Sequence, residues 1–436
     1  QYSPLEETFF KGIYKLMPGH MLLYKNGSYE IKTYFKPKLT PGQWDHKTNM
    51  AQLRSQLSEI LKDSVKHHML SDVEVGAFLS GGVDSGYLAS SSGAGQAFTV
   101  GFDEGDRYSE VNKAAKVAEK AGLKHHVKII SKQEFWDALP DVMYHMDEPL
   151  ADASAVALYF LSKEAAGHVK VVLSGEGADE LFGGYNIYRE PESLKKIDWI
   201  PFGVRRVIGK LAAKLPDVKG RDFLIRAGMK VEERFIGNAY IYREKEKAQI
   251  LKNKVTGPST QEYLRPFFEE LESENRGLLQ DMEKMQSVDL SYWLPGDILQ
   301  KADKMSMAHS LEVRVPFLDK EVFDFAAKLP KEAKIAAGTT KYIFRKAVSE
   351  FLPQETDERK KLGFPIPIRV WLRQDDWYQM VTDLFTSKAA EEFFRTEELL
   401  QLLKDHKDKK ADNSRKIWTV LTFLIWYDRF FATCSK

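Results

Sequence analysis

Two short segments carry residues whose types and spacing could do chemistry. An apolar stretch, Val73 to Leu79, runs directly into Ser80-Gly81-Gly82-Val83-Asp84-Ser85. Paired glycines let a backbone turn sharply and bring its N–H groups close to a ligand. Serine hydroxyls flank them, and the helix that follows points its positive end at the same spot, which makes an anion cradle sized for phosphate oxygens. Asp84 would be repelled by bare phosphate, so its place there implies a Mg²⁺ that bridges phosphates. No Gly-Lys-Ser/Thr follows, so the loop is not of the Walker A kind. The second segment, Ser174-Gly175-Glu176-Gly177-Ala178-Asp179-Glu180, sets three acids within five residues at the end of an apolar strand. They would repel one another without a ligand, and a bound cation or a proton-transfer role accounts for them.

The elements that position these segments follow from hydrophobic period. Lys47 to Leu70 reads as an amphipathic helix with Leu53, Leu57, Ile60, Leu61 and Val65 on one stripe. Strand-like and helix-like segments then alternate. Strands are expected at 73–79, 98–102, 125–130 and 169–173, with helices at 86–92, 110–121, 132–146 and 154–166. Such alternation predicts an α/β fold with a doubly wound parallel sheet and ligands at the carboxyl ends of the strands. Beyond about residue 185 the pattern reads as mostly helical. At the other end, His20 to Tyr24, Asn26-Gly27 and Tyr29 to Tyr34 form a β-hairpin signature. A hairpin this short needs partners to bury its apolar face, and Pro37 to Gln43 reads as a linker. The expected organisation is a β remnant and linker over 1–45, a nucleotide-binding core over 46–190 and a helical part over 191–436.

Composition narrows the function. The 436 residues are 43% hydrophobic and 29% charged with a formal net charge of +1, so no global basic field argues for nucleic acid. No apolar run reaches the length of a membrane span, so no membrane partner is expected. One cysteine, Cys434, cannot form an internal disulfide or a thiolate cage, which suits a reducing, cytoplasmic setting.

Phe78 to Ser85 resembles the pyrophosphate loop of the N-type ATP pyrophosphatases, which cleave ATP between the α and β phosphates. Further segments resemble the glutamine-hydrolysing asparagine synthetases in particular: Phe98 to Phe102, Leu173 to Tyr185, Asp297 with Asp303 to Asp319, and Arg359 to Pro365. The resemblance implies ATP and Mg²⁺ as cofactors. It implies nucleotide contacts from Leu79, Ser80, Gly81, Gly82, Asp84, Ser85, Val100, Ser174 and Gly175, and metal ligation by Asp84 and Asp179. Glu176 would handle ammonia's proton, Asp297 would lie near the substrate's amino group, and Lys361 would steady charge on the α-phosphate and acyl group. Arg314, between apolar residues, is expected to be a structural ion-pair partner.

The implied reaction is amidation of L-aspartate through a β-aspartyl-adenylate, with release of AMP and pyrophosphate, in an enzyme expected to be a homodimer. The family begins with a glutaminase domain whose N-terminal cysteine attacks glutamine. No cysteine stands near residue 1, while Phe9 to Lys36 looks like that domain's last strands. The sequence therefore predicts a chain that takes free ammonia rather than glutamine. Two alternatives stay open: an amidotransferase or β-lactam synthetase-like enzyme acting on another carboxylate, and a non-catalytic ATP-binding paralogue.

Overall fold

The structure is a computed structural model that describes residues 1–40, 49–105, 108–216, 218–354 and 365–432. An antiparallel hairpin, β1 (His20–Lys25) and β2 (Ser28–Thr33), turns at Asn26-Gly27 as the sequence predicts. Both of its faces are exposed, apart from half-buried His20. The linker that follows docks by burying Leu39 and by donating Thr40 N–H to Ala327 O at 3.0 Å. The rest of that linker lies outside the described residues.

The helix α1 (Met50–His68) starts on the Asn49 side chain and buries Leu53, Leu57, Leu61 and Val65. Alternating elements follow: β3 (Val75–Phe78), α2 (Val83–Ser91), β4 (Gln96–Phe102), α3 (Val111–Ala121) and β5 (Lys124–Ile130). The predicted helix 132–146 is two helices, α4 (Lys132–Asp137) and α5 (Leu139–Met146), which meet at Ala138, just before Pro140. Then come α6 (Ser154–Ala166), β6 (Val171–Leu173) and α7 (Ala178–Phe182). The helix α2 begins at Val83, three residues earlier than its periodicity predicts, so Asp84 and Ser85 stand in its first turn.

The sheet order is β5-β4-β3-β6-β7, all parallel. Its fifth strand, β7 (Glu312–Arg314), comes from the part expected to be helical. Three residues carry too little period to announce a strand. Arg314 fixes this edge: its guanidinium reaches Glu312 at 2.6 Å and donates to the carbonyls of His68 and Leu70, at the end of α1. The chain leaves β3 outward through β4 and β5, then returns to β6 on the other side. Strand order therefore reverses between β3 and β6, which is where such sheets bind ligands.

Apolar layers cover the sheet on both sides. One joins Phe98 and Val100 to Leu161 and, far along the chain, Trp371 and Trp418. The other joins Leu57, Val75 and Leu173 to Phe182 and Phe344. Among the described residues no helix is long and apolar enough to cross a membrane.

Candidate active site

The loop after β3 and the loop after β6 lie side by side at the switch point and wall a cavity of about 780 Å³. Leu79 to Ser85, Val100, Ser174, Gly175, Glu176 and Asp179 all line it, so most of the site residues read from sequence meet in one place. The first loop braces itself. Ser80 N–H donates to Ser85 Oγ at 3.0 Å, the two hydroxyl oxygens are 2.9 Å apart, and Gly82 N–H donates to Ser80 Oγ at 3.2 Å. The N-terminal turn of α2 opens on the cavity. Leu79, Val100, Leu158, Leu161 and Ile366 give the wall an apolar portion suited to a flat base.

The centre of the site is a lysine that sequence reading passed over. Lys341, 2% exposed, sets its ammonium 2.6 Å from Asp84 Oδ2 and 2.8 Å from Asp179 Oδ1. It thereby ties the two strand-end loops to the helical part of the chain. Burial pulls its ammonium below the usual lysine range, and Asp84 opposes that shift. Its backbone is left-handed, with φ 54°, a conformation that costs a side-chain-bearing residue about 1–3 kcal/mol. Gly184 makes room for the cluster, because a Cβ there would overlap Asp179 Oδ1 and Lys341 Cε. Two carboxylates converging on one cationic slot are hard oxygen donors of the kind Mg²⁺ prefers. Asp84 and Asp179 therefore fit the metal-binding role.

Glu176 presents a different problem to the cavity. Its Oε2 is buried and has no hydrogen-bond partner among the described residues. A carboxylate oxygen in that state leaves its demand for a donor to a ligand. Behind it, buried Glu180 accepts a 2.6 Å bond from Tyr185 Oη, which in turn accepts from Trp293 Nε1 at 3.2 Å. Burial raises Glu180 above the usual carboxylate range.

A second charged cluster occupies another part of the wall. Lys301 lies 2.5 Å from Asp152 Oδ2 and 2.8 Å from Asp297 Oδ1. Asp297 rides on a π-helical stretch, Asp289–Leu299, which contains Pro295. Such widened turns recur at functional sites. Asp297 is itself fully buried and does not line the cavity, whereas Lys301 and Asp152 do. The Gln1 amide donates to Asp297 Oδ2 at 2.8 Å, and Arg415 donates to Gln1 Oε1 at 2.9 Å. Sequence reading put Asp297 beside the substrate; the structure sets it one layer back, where it positions Lys301. Burial pushes the Asp297 carboxyl up to about 7, even against the attraction of Lys301. Burial acts on Asp152 in the same direction, but there Lys301 prevails and holds the group below the usual range. Lys361 lies outside the described residues.

Residues 56–428 match the family model for asparagine synthase. The chain belongs to the asparagine synthase family. It is 44% identical to "Asparagine synthetase [glutamine-hydrolyzing] 1" of Bacillus subtilis, over 98% of this chain and 67% of that protein. It is 39% identical to "Putative asparagine synthetase [glutamine-hydrolyzing]" of Mycobacterium bovis, over 99% of this chain and 66% of that one. A more distant relative, "Amidase chry2" of Gibberella zeae, is 25% identical over 97% of this chain and 69% of its own length. The chain thus spans about two thirds of the length of these asparagine synthase family relatives.

Asp84 and Asp179 would hold a divalent ion only in competition with the Lys341 ammonium. Lys341→Ala is therefore expected to bind Mn²⁺ without nucleotide roughly tenfold or more tightly than the parent, because the like charges are left uncompensated. Free Mn²⁺ counted by electron paramagnetic resonance would reveal this; equal affinities would show that lysine and metal do not share the slot.

Proposed function

We propose that this chain is a C–N bond-forming ligase that uses ATP to convert L-aspartate to L-asparagine through a β-aspartyl-adenylate. The observation that carries the reading is the convergence, in one cavity, of the phosphate loop, two metal-suited carboxylates and the Lys341 ammonium. Membership of the family supports the same chemistry.

A carboxylate oxygen is a poor leaving group toward ammonia, so it must first be activated. A β-carboxylate oxygen of aspartate attacks the α-phosphorus of ATP, and the P–O bond to the β-phosphate breaks. Pyrophosphate is retained by the Ser80–Ser85 loop and the α2 N-terminus. Mg²⁺ bound to Asp84 and Asp179 supplies charge neutralisation to the phosphates. Lys341 is proposed to face the α-phosphate, where charge builds in the transition state, and Lys361 to share that role. Ammonia then attacks the acyl carbon, the C–O bond to AMP breaks, and the orphan Oε2 of Glu176 accepts the proton released from nitrogen. The nucleotide base rests against Val100 and Leu79. Positioning supplies much of the rate in such a scheme.

The Lys301 cluster is proposed to receive the amino-acid end of the substrate, Asp152 drawing the α-ammonium and Lys301 the α-carboxylate, with Asp297 holding Lys301 from behind. The N-terminal 1–45 is proposed to be the edge of a glutamine-hydrolysing unit, whose body would cover the exposed hairpin. Ammonia is proposed as the nitrogen nucleophile at the adenylate.

Pyrophosphate release from Mg-ATP and ammonium should depend on L-aspartate and not on a panel of other carboxylates. Lys341→Ala should lower kcat by about 10³ or more, as removal of a transition-state cation does. Pyrophosphate release elicited only by a different carboxylate would relocate the specificity, and none from any carboxylate would overturn the reading.

Asp297 adds a pH signature. With its carboxyl at about 7, it gains a proton as pH falls through neutrality and its hold on Lys301 weakens. The KM for aspartate should therefore rise below about pH 7, and Asp297→Asn should show the raised value throughout. A KM profile unchanged by that substitution would remove Asp297 from the substrate's surroundings.

A further inference from the structure

Outside the cavity lining, one face of the helical part has a composition that a water-facing surface does not need. Residues 195–230 hold ten lysines and arginines against three aspartates, a local charge of +7 in a chain of net charge +1. The helix Phe202–Ala212 packs inward on the helix Arg221–Ala227. The backbones come so close that a Cβ on Gly209 would stand 3.1 Å from Leu224 O, and one on Gly228 2.6 Å from Arg205 O. The inner face is thus accounted for.

The outer face is apolar. Val204, Val207 and Leu211 stand on the first helix at helical spacing and are all exposed, as are Leu215 and Val218 just past its end and Trp199, the last 80% exposed. Arg205 and Arg206 are tied down, to Asp198 at 2.6 Å and Glu233 at 2.7 Å. Lys210, Lys214 and Lys219, which flank the stripe, have no acidic partner among the described residues. An apolar stripe facing out, edged by unpaired lysines and carrying an exposed tryptophan, is the pattern of a helix lying in the plane of a lipid interface.

We propose that this face docks the protein on an anionic membrane surface. Nucleic acid would use the charge and leave the stripe in water. A second copy meeting this face through a two-fold axis would set Lys210, Lys214 and Lys219 against the same lysines, which like-charge repulsion opposes. Anionic headgroups over an acyl interior satisfy both features at once. That no described helix is long and apolar enough to cross a membrane does not bear on a helix that lies on the surface.

The test is cosedimentation of the full chain with vesicles of phosphatidylglycerol and phosphatidylcholine, compared with phosphatidylcholine alone. Binding should require the anionic lipid and weaken as ionic strength rises from about 0.1 M to about 1 M, where the Debye length shrinks from about 10 Å to about 3 Å. Lys210→Glu with Lys214→Glu should weaken it by roughly tenfold or more. Leu211→Asp should abolish it while melting temperature and pyrophosphate release stay at parental values. Failure of the parent to bind anionic vesicles overturns the proposal. So does undiminished binding by Leu211→Asp, which would leave charge alone at work. A parental dimer that Leu211→Asp dissociates, with no vesicle binding, would assign the face to a second copy instead.

Discussion

The Lys341 ammonium between Asp84 and Asp179 is the interaction on which the rest of the site depends. Each partner comes from a different part of the chain: the first turn of α2, the first turn of α7, and the entry to a helix well beyond the sheet. Two carboxylates facing each other in a buried setting would repel strongly, and one would be driven to take up a proton. The lysine offsets that repulsion and ties the two strand-end loops together. Its left-handed backbone and the bare Gly184 beside it are local costs of that placement, and such costs gather where function over-determines geometry. Asp84 and Asp179 would be the donors for a divalent ion, so Lys341 and that ion would compete for the same carboxylates.

The parallel sheet made this arrangement accessible. Reversal of strand order between β3 and β6 puts two glycine-bearing loops next to each other without any long-range design in the sequence. Both loops could be read in advance because each is local: an apolar strand, then small residues, then acids, within a dozen positions. The cavity-lining residues Ser80, Gly81, Gly82, Asp84, Ser85, Ser174, Glu176 and Asp179 were legible for that reason. Lys341 was not, since a single lysine at the start of an apolar helix reads as an ordinary solvated cation. The Asp152–Lys301 pair spans 149 positions, and nothing in either neighbourhood marks the other. β7 escaped notice because Glu312-Val313-Arg314 has no period to detect, and it earns its place only by pairing with β6.

Two exposed apolar surfaces remain on the molecule, and they differ in kind. The N-terminal hairpin carries leucine, tyrosine and isoleucine on strands of little net charge, the composition of a surface meant for burial against protein. The face around Leu211 couples its apolar stripe to unpaired lysines, which burial against protein would strand without counter-charges. Apolar exposure alone does not identify a partner; the charge around it does.

The account stands on which bond of ATP is broken and by which atom. Aspartate labelled with ¹⁸O in its β-carboxylate, turned over with Mg-ATP and ammonium, tests this directly by mass spectrometry of the nucleotide product. Attack of that carboxylate on the α-phosphorus predicts AMP carrying one ¹⁸O, with unlabelled pyrophosphate. Formation of ADP, or of AMP without label, would contradict adenylation and with it the roles assigned to Lys341 and the loop it organises.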